Sequence, residues 1–236
     1  MVTVVRREEV GSRRVARAPL EEALRKAEAG VLAELAGVRE ALQHAVRSVA
    51  LDDLTLGQLV VERAGDLHRR YDDVHECLLA LVARQAPVAG DLRLATALLH
   101  VNDRLERMNA QCLNIVTLRR AFPAEESPSS GQLDCLSGMA TLADEQMAQA
   151  ARVFAERDVA GARRLVEHDL GINESNRRCF ALAVRDGDDE MHREVAFLVA
   201  LMARAIERIG DNAVDIGRQA GFVATGRLER ASVSES

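Results

Sequence analysis

Two carboxylates, Glu207 and Asp211, are four residues apart near the end of the chain. On a helix this spacing places both side chains on one face, one turn apart, where like charges repel. A bound cation would reverse that repulsion, because carboxylate oxygens are ligands of hard metal ions. Gly210 separates the two acids, although alanine would stabilise a helix interior by about 1 kcal/mol, which indicates close approach of a ligand or another backbone. The alternative is a solvated face on which Arg204 and Arg208 neutralise the acids.

The segment around these acids has a degraded copy earlier in the chain. Residues 206–216 read IERIGDNAVDI, and residues 105–115 read LERMNAQCLNI. Glu106 matches Glu207, whereas the position of Asp211 holds Ala110. A motif that recurs at a long, fixed offset indicates a tandem duplication. Loss of a carboxylate from the first copy indicates that any metal chemistry lies in the second.

The composition favours helices and excludes several classes of partner. The 236 residues are 48% hydrophobic, 29% charged and only 3% aromatic, which is typical of helical proteins rich in Ala, Leu, Glu and Arg. A net charge of -6 excludes the basic surface that nucleic acids or anionic membranes need. The four cysteines form no CxxC pair, and no apolar run reaches the length of a membrane span. We therefore expect a cytosolic protein.

Apolar residues recur at three- and four-residue steps, which predicts six helices. They are expected at roughly 19–50, 53–85, 88–120, 132–156, 159–186 and 190–223. A segment rich in Pro, Ser and Glu, 122–131, separates the first three from the last three. The predicted fold class is all-α, a tandem repeat of two antiparallel three-helix bundles at 19–121 and 132–226. A flexible arm at 1–18 and a flexible tail at 227–236 flank them.

The predicted fifth helix carries polar residues where its apolar stripe continues. Asp169, Asn173 and Asn176 follow the same stripe as Leu165, Ile172 and Phe180, and polar groups in such a stripe need partners. Asp169 and Asn173 could supply further oxygen ligands to a cation shared with the carboxylates of the last helix, or the polar residues could form an inter-helix hydrogen-bond network. Both readings meet one difficulty. By helical periodicity the fifth-helix residues point inward, whereas the two last-helix carboxylates lie opposite the apolar seam of their own helix.

Three runs of sequence resemble the PhoU family of phosphate-uptake regulators. Residues 83–94, ARQAPVAGDLRL, resemble the family signature ARQxPVAxDLR. Residues 207–211, ERIGD, resemble the motif that the family carries in each half, and residues 222–226, FVATG, are similar to the FLVTG that often ends its last helix. The resemblance covers roughly 19–226.

The resemblance implies a fold and a role. The fold is two three-helix bundles that hold metal ions on their surface through Glu/Asp-xxx-Asp motifs. The role is that of a non-enzymatic cytosolic regulator, which acts at the membrane through the ATPase subunit of a phosphate ABC transporter and a sensor histidine kinase. In that role it keeps the phosphate-starvation response off when phosphate is plentiful. A homodimer is compatible with such amphipathic bundles.

The first half departs from the family pattern. Its second-helix acids are replaced by Ala64 and His68, which correspond to Asp169 and Asn173 of the second half. The predicted metal ligands are therefore Glu207, Asp211, Asp169 and Asn173, all in the second bundle. Oxygen ligands suit Mg, Mn or Fe, and Zn also stays open as the bound metal.

Two other classes of protein share some of these features. A di-iron carboxylate enzyme would need Glu-xx-His on its helices, and no Glu in the chain has His three residues later. A metal-free helical adaptor of a divergent pathway stays open, because the first copy of the motif has lost its second acid.

Overall fold

The chain folds into six helices joined by short turns. The computed structural model describes residues 2–123, 126–188 and 192–228, with side chains from residue 18 onward. The helices are α1 (Val2–Ala50), α2 (Leu54–Gln85), α3 (Ala89–Arg120), α4 (Ser130–Glu156), α5 (Val159–Asp186) and α6 (Arg193–Thr225). The predicted number and order of helices are confirmed, and no strand occurs in the described ranges. Within those ranges no helix is long and apolar enough to cross a membrane.

The beginning of α1 differs from the prediction. Pro19 was expected at the start of the helix, but it lies inside a helix that begins at Val2. The preceding segment is rich in Arg and Glu, which are good helix formers, so the backbone of the predicted arm is helical. The side chains of residues 1–17 lie outside the described residues, as do residues 229–236 of the predicted tail and residues 124–125 of the predicted linker.

Short polar side chains set where three of the helices begin. Asp53 accepts a hydrogen bond from the backbone N–H of Thr55, and Asp158 accepts one from Gly161, both at 2.9 Å. Ser129 and Gln132 form a reciprocal capping box at the start of α4. Such caps satisfy backbone donors that the first turn of a helix leaves free. The loop 121–129 therefore ends in a strong helix-start signal.

Each half is a three-helix bundle, and the two bundles share one core. Helices α1, α2 and α3 contact one another, and so do α4, α5 and α6. The bundles meet where α3 packs on α6 and α1 packs on α4, and a single apolar cluster includes buried residues of both halves. Helix α6 contacts α3, α4 and α5. It is therefore buried over most of its circumference.

Ion pairs cross the boundary between the bundles. The guanidinium of Arg39 on α1 makes two 2.8 Å contacts with the carboxylate of Asp144 on α4. Arg157, at the end of α4, pairs with Glu28 on α1 at 2.8 Å. The bidentate arrangement at Arg39 fixes the orientation of both side chains, so α1 and α4 are held in one register.

Glycines allow α5 to approach α6 closely. A Cβ atom at Gly210 would lie 2.8 Å from Cδ1 of Ile172, and one at Gly217 would overlap Cδ1 of Leu165. Ile172 and Leu165 are buried on α5 and have little room to move in a close-packed interior. The glycine between the two acids is therefore explained by the approach of a neighbouring helix.

Replacing Gly217 by alanine is expected to destabilise the protein. Overpacking against Leu165 costs about 1–3 kcal/mol, which exceeds the gain of about 1 kcal/mol in helix propensity. Gly138→Ala on α4 is the matched control, because nothing lies within 4 Å of its added Cβ, and it should stabilise. Chemical denaturation of both variants checks the opposite signs; stabilisation by Gly217→Ala would contradict the close approach.

Candidate functional site between α5 and α6

The fold brings the predicted metal ligands to one groove. Asp169 and Asn173 come from α5, and Glu207 and Asp211 come from α6. A Cβ atom at Gly210 would lie 3.5 Å from Oδ1 of Asp169, so the acids of the two helices face each other across this glycine. The Asp211 carboxyl has its pKa raised, first by partial burial and then by the negative charges of Asp169 and Glu207. Three carboxylates therefore share one electrostatic environment.

The orientation predicted for Glu207 is wrong. Its position opposite the apolar seam predicted a solvated side chain, but Glu207 is only 9% exposed. The reason is the wide buried surface of α6, which three helices cover instead of one. Asp211, one turn later, lies at the rim of the groove, where one side of it contacts solvent and the other faces the partly buried acids. Helix α5 packs against the side of α6 that carries Glu207. The acids of α6, which were predicted to point away from the core, can therefore meet the polar residues of α5, which were predicted to point inward.

The carboxylate of Asp169 already has two amide donors. Nδ2 of Asn173 donates to Oδ2 at 2.9 Å, and Nε2 of Gln146 on α4 donates to Oδ1 at 3.3 Å. The bond from Gln146 links α4 to α5 through a partly buried polar cluster. The inter-helix hydrogen-bond network, one of the two readings of these polar residues, is therefore present.

Glu207 is held in the same way. Nδ2 of Asn176 on α5 donates to its Oε2 at 2.8 Å, and the guanidinium of Arg204, one turn earlier on α6, contacts the same oxygen. A charge-assisted hydrogen bond offsets much of the cost of burying a carboxylate. Glu207 thus acts as a bridge between α5 and α6.

Two members of this network are missing from the predicted ligand set. The spacing places Asn176 in the polar stripe with Asp169 and Asn173, but not among the predicted ligands. Phe180, predicted in the same inward stripe, is instead 61% exposed, because the stripe winds around the helix away from its neighbours. Gln146 lies in the apolar seam of α4 beside Ala143 and Met147. A polar residue at such an apolar position likewise indicates a hydrogen-bond partner. Both were detectable as polar groups that need partners, but spacing alone does not identify those partners.

The side-chain oxygens of the groove are suitable ligands for a cation, but they are not arranged as a complete coordination shell. Oε1 of Gln146 is buried and has no hydrogen-bond partner among the described residues. It would lie 3.2 Å from a Cβ at Gly210, beside the carboxylates. However, no group of three or more His, Cys, Asp or Glu within the described ranges is arranged to hold a metal ion. A cation here would have to displace the amide and guanidinium donors from Asp169 and Glu207.

The equivalent positions of the first bundle form a simpler contact. Nδ1 of His68 lies 3.0 Å from Oε1 of Glu106. Ala64 and Ala110 have no ligand atoms in their side chains. One acid and one imidazole therefore replace the acid-and-amide set of the second bundle.

The first bundle instead contains a buried acid that the sequence analysis missed. Glu34 on α1 is fully buried, and neither carboxylate oxygen has a hydrogen-bond partner among the described residues. Burial and, after it, the negative charge of Glu106 raise the pKa of Glu34 to about 8, although the positive charge of Arg70 opposes the shift. Glu34 is therefore mainly protonated at neutral pH. Its place beside Leu35, in the apolar seam of α1, was the available signal.

Both bundles match a single family model. The PhoU domain matches residues 34–118 and again residues 136–220, which are the two bundles and together exceed half of the chain. The chain belongs to the PhoU family. The two matched segments also confirm the duplication inferred from the repeated motif.

Named relatives extend along most of the chain. The phosphate-specific transport system accessory protein PhoU homolog 1 of Mycobacterium leprae is 31% identical over 195 residues, which cover 81% of this chain and 85% of the relative. PhoU homolog 2 of Mycobacterium tuberculosis is 30% identical over 203 residues, covering 84% and 91%. The crystal structure of the phosphate transport system regulatory protein PhoU from Streptococcus pneumoniae superposes with a TM-score of 0.80 at 17% identity, covering 89% of this chain and 99% of that one. This last similarity supports the fold.

Two of the PhoU-like runs meet at one end of the molecule. The run 83–94 forms the end of α2, the turn and the start of α3, and Ala86 and Ala89 adopt positive φ angles of 43° and 49°. Gly226, in the run that ends α6, has φ 75°. A Cβ there would lie 3.5 Å from Nη1 of Arg93. The two runs therefore build one surface from both bundles.

Replacing Glu34 by glutamine should change how stability depends on pH. The unfolded chain ionises Glu34 near its ordinary pKa of 4.5, whereas the folded protein keeps the proton up to about pH 8. The free energy of unfolding of the wild type should therefore fall by on the order of a few kcal/mol, relative to that of Glu34→Gln, as pH rises from 4.5 to 8. Denaturant unfolding across this range measures the difference. Glu76→Gln, at an exposed site, is the control, and parallel pH profiles for wild type and Glu34→Gln would contradict the prediction.

Proposed function

We propose that this protein is a regulator of phosphate uptake that restrains the transporter and the phosphate-starvation response when phosphate is plentiful. The observation that supports this proposal most strongly is the double match to the PhoU domain, once on each bundle. The relatives of similar length are named accessory proteins of the phosphate-specific transport system. That similarity supports a role as an accessory protein without catalytic turnover.

The proposed partners are the ATPase subunit of the phosphate transporter and a sensor histidine kinase. The protein would work in the cytoplasm and reach the membrane through them. The turn between α2 and α3 is a suitable contact, because Val88 is 72% and Leu92 40% exposed within the run that most resembles the family signature. Exposed apolar side chains on a rigid turn are common anchors for a protein partner.

The proposed metal site belongs to the second bundle. Glu207, Asp211 and Asp169 would supply carboxylate oxygens, with an amide oxygen from Asn173 or Gln146. A bound Mg, Mn, Fe or Zn ion would supply positive charge that relieves the repulsion which raises the pKa of Asp211. Asn176 and Arg204 would then serve to position Glu207 before the ion arrives.

A metal-free adaptor is the second candidate. It is favoured by the hydrogen bonds that Asp169 and Glu207 already accept from Asn173, Asn176 and Arg204. In this role the polar cluster holds the bundle together, and regulation depends on helix docking alone.

Deletion of the gene, followed by complementation, tests the regulatory role. Loss of the protein should derepress phosphate-starvation genes in phosphate-replete cells, and the wild-type gene should restore repression. Complementation with Asp211→Ala separates the two candidates: failure supports the metal-bearing regulator, and success supports the adaptor. Unchanged expression after deletion, in a strain without a second gene of this family, would contradict both.

Elemental analysis of purified protein tests the proposed asymmetry. Asp211→Ala should lose the bound metal, because divalent affinity depends on the number of charged ligands, whereas Glu106→Ala in the first bundle should keep the wild-type content. Metal retained by Asp211→Ala, or lost from Glu106→Ala, would exclude a site confined to the second bundle. A wild type that takes up no metal under any loading condition leaves the adaptor.

A further inference from the structure

The centre of the first bundle contains a buried oxygen cluster, formed by side chains of Glu34, Asn102, Glu106 and Asn109. Both carboxylate oxygens of Glu34, Oε2 of Glu106 and Oδ1 of each asparagine have no hydrogen-bond partner among the described residues. Glu34 and the two asparagines are at most 3% exposed. Because buried polar groups of native proteins are nearly always satisfied, these acceptor oxygens indicate a ligand that supplies positive charge.

The α3 members of the cluster lie on one face of their helix. Asn102, Glu106 and Asn109 are separated by steps of four and three residues, which place them in one row. Nδ2 of Asn102 donates to the carbonyl of Tyr71 at 2.9 Å, and Nδ2 of Asn109 donates to the carbonyl of Ala64 at 3.4 Å, both on α2. Each amide nitrogen is therefore fixed to α2, and the amide oxygen is directed away from that carbonyl.

Glu34 reaches the same level of the bundle from α1. A Cβ atom at Gly37 of α1 would lie 3.0 Å from Cδ2 of Leu67 on α2, and the antiparallel register of the two helices then places Glu34 beside Arg70. The charges of Glu106 and Arg70 both act on Glu34. The two carboxylates are thus close enough to interact, although no hydrogen bond joins them.

The second bundle does not share the amides of this cluster. Residues 105–115 match residues 206–216, so equivalent positions on α3 and α6 differ by 101. At that offset Asn102 corresponds to Ala203 and Asn109 to Gly210, and neither of these has a side-chain oxygen. The cluster is therefore a property of the first bundle and is separate from the acidic groove between α5 and α6.

The charges around the cluster select the kind of ligand. Carboxylate and amide oxygens bind hard cations, and two carboxylates beside the single guanidinium of Arg70 leave one negative charge to balance. A magnesium ion would exceed that charge and holds its own waters tightly. We propose that the first bundle binds one monovalent metal cation between the carboxylates of Glu34 and Glu106, and that the amide oxygens of Asn102 and Asn109 complete its shell directly or through a water molecule.

A cleft on the surface gives the ion a route to the cluster. Ala33 and Gly37, which flank Glu34 on α1, line a cleft of about 420 Å³ between α1 and α2. Arg70, whose charge acts on Glu34, lines the same cleft. Solvent therefore reaches the turn of α1 that carries Glu34.

The cation and a proton are alternatives at Glu34. Without an ion, burial and the charge of Glu106 raise the pKa of Glu34 to about 8, against the effect of Arg70. Other titratable or charged groups on the helices around α1 have their own partners: His68 with Oε1 of Glu106, Asp144 with Arg39, and Arg157 with Glu28. When the ion binds, the carboxyl group of Glu34 loses its proton to solvent and its oxygens contact the ion. Each ion bound at pH 7 should therefore release about one proton.

Unfolding of the full chain in different salts tests the site. At equal ionic strength, potassium or sodium chloride should stabilise the wild type relative to tetramethylammonium chloride, whose cation is too large to enter. Above the dissociation constant, a tenfold rise in ion concentration should raise the ratio of folded to unfolded protein about tenfold. Glu34→Gln and Asn109→Ala should lose this dependence, whereas Glu76→Gln, at an exposed site on α2, should keep it. Each variant is compared with itself between salts, so a change in its basal stability does not matter.

Proton release distinguishes the site from a general effect of salt. The chloride that stabilises the wild type more, potassium or sodium, identifies the ion. Its addition to weakly buffered wild type at pH 7 should release about one proton per ion bound, and its addition to Glu34→Gln should release none. Equal salt effects in wild type and Glu34→Gln would overturn the proposal, as would wild type that releases no proton; buried water would then satisfy the oxygens. The site is independent of the proposed regulatory role.

Discussion

The close approach of α5 to α6 is the constraint on which the second bundle depends. Gly210 and Gly217 remove the side chains that would separate the two helices, and Ile172 and Leu165 fill the space that this creates. At that separation the Asn176 amide of α5 reaches the Glu207 carboxylate of α6. The same contact therefore produces a dense apolar seam and a polar cluster beside it.

The two bundles use the duplicated framework differently. In the second, the acids accept hydrogen bonds from amides of neighbouring helices and from a guanidinium of α6, and their charge lies in a partly buried groove. In the first, the corresponding contact is reduced to Glu106 and His68, while the buried Glu34 avoids the cost of an unpaired charge by keeping its proton. The second bundle thus carries a cluster of three carboxylates, whereas the buried acid of the first bundle is protonated.

Sequence periodicity was sufficient to predict the six helices and the two bundles, because apolar spacing and short capping residues act locally. It also identified Asp169, Asn173, Glu207 and Asp211, which do share one groove. The burial of Glu207 was missed because periodicity describes one helix, whereas exposure depends on how many helices surround it. Partners such as Gln146 come from a different helix, and spacing alone cannot show which distant residue reaches a given carboxylate.

The contact between the bundles has the form of a subunit interface. Helix α3 packs on α6, its counterpart in the repeat, and α1 packs on α4, which is likewise its counterpart. Pairs of equivalent elements in mutual contact are the pattern of an isologous dimer, here contained in one polypeptide. A single chain that contains both halves of such an interface can change each half separately, which a symmetric dimer encoded by one gene cannot do. Ala110 in the first half, at the position of Asp211 in the second, is a difference of this kind.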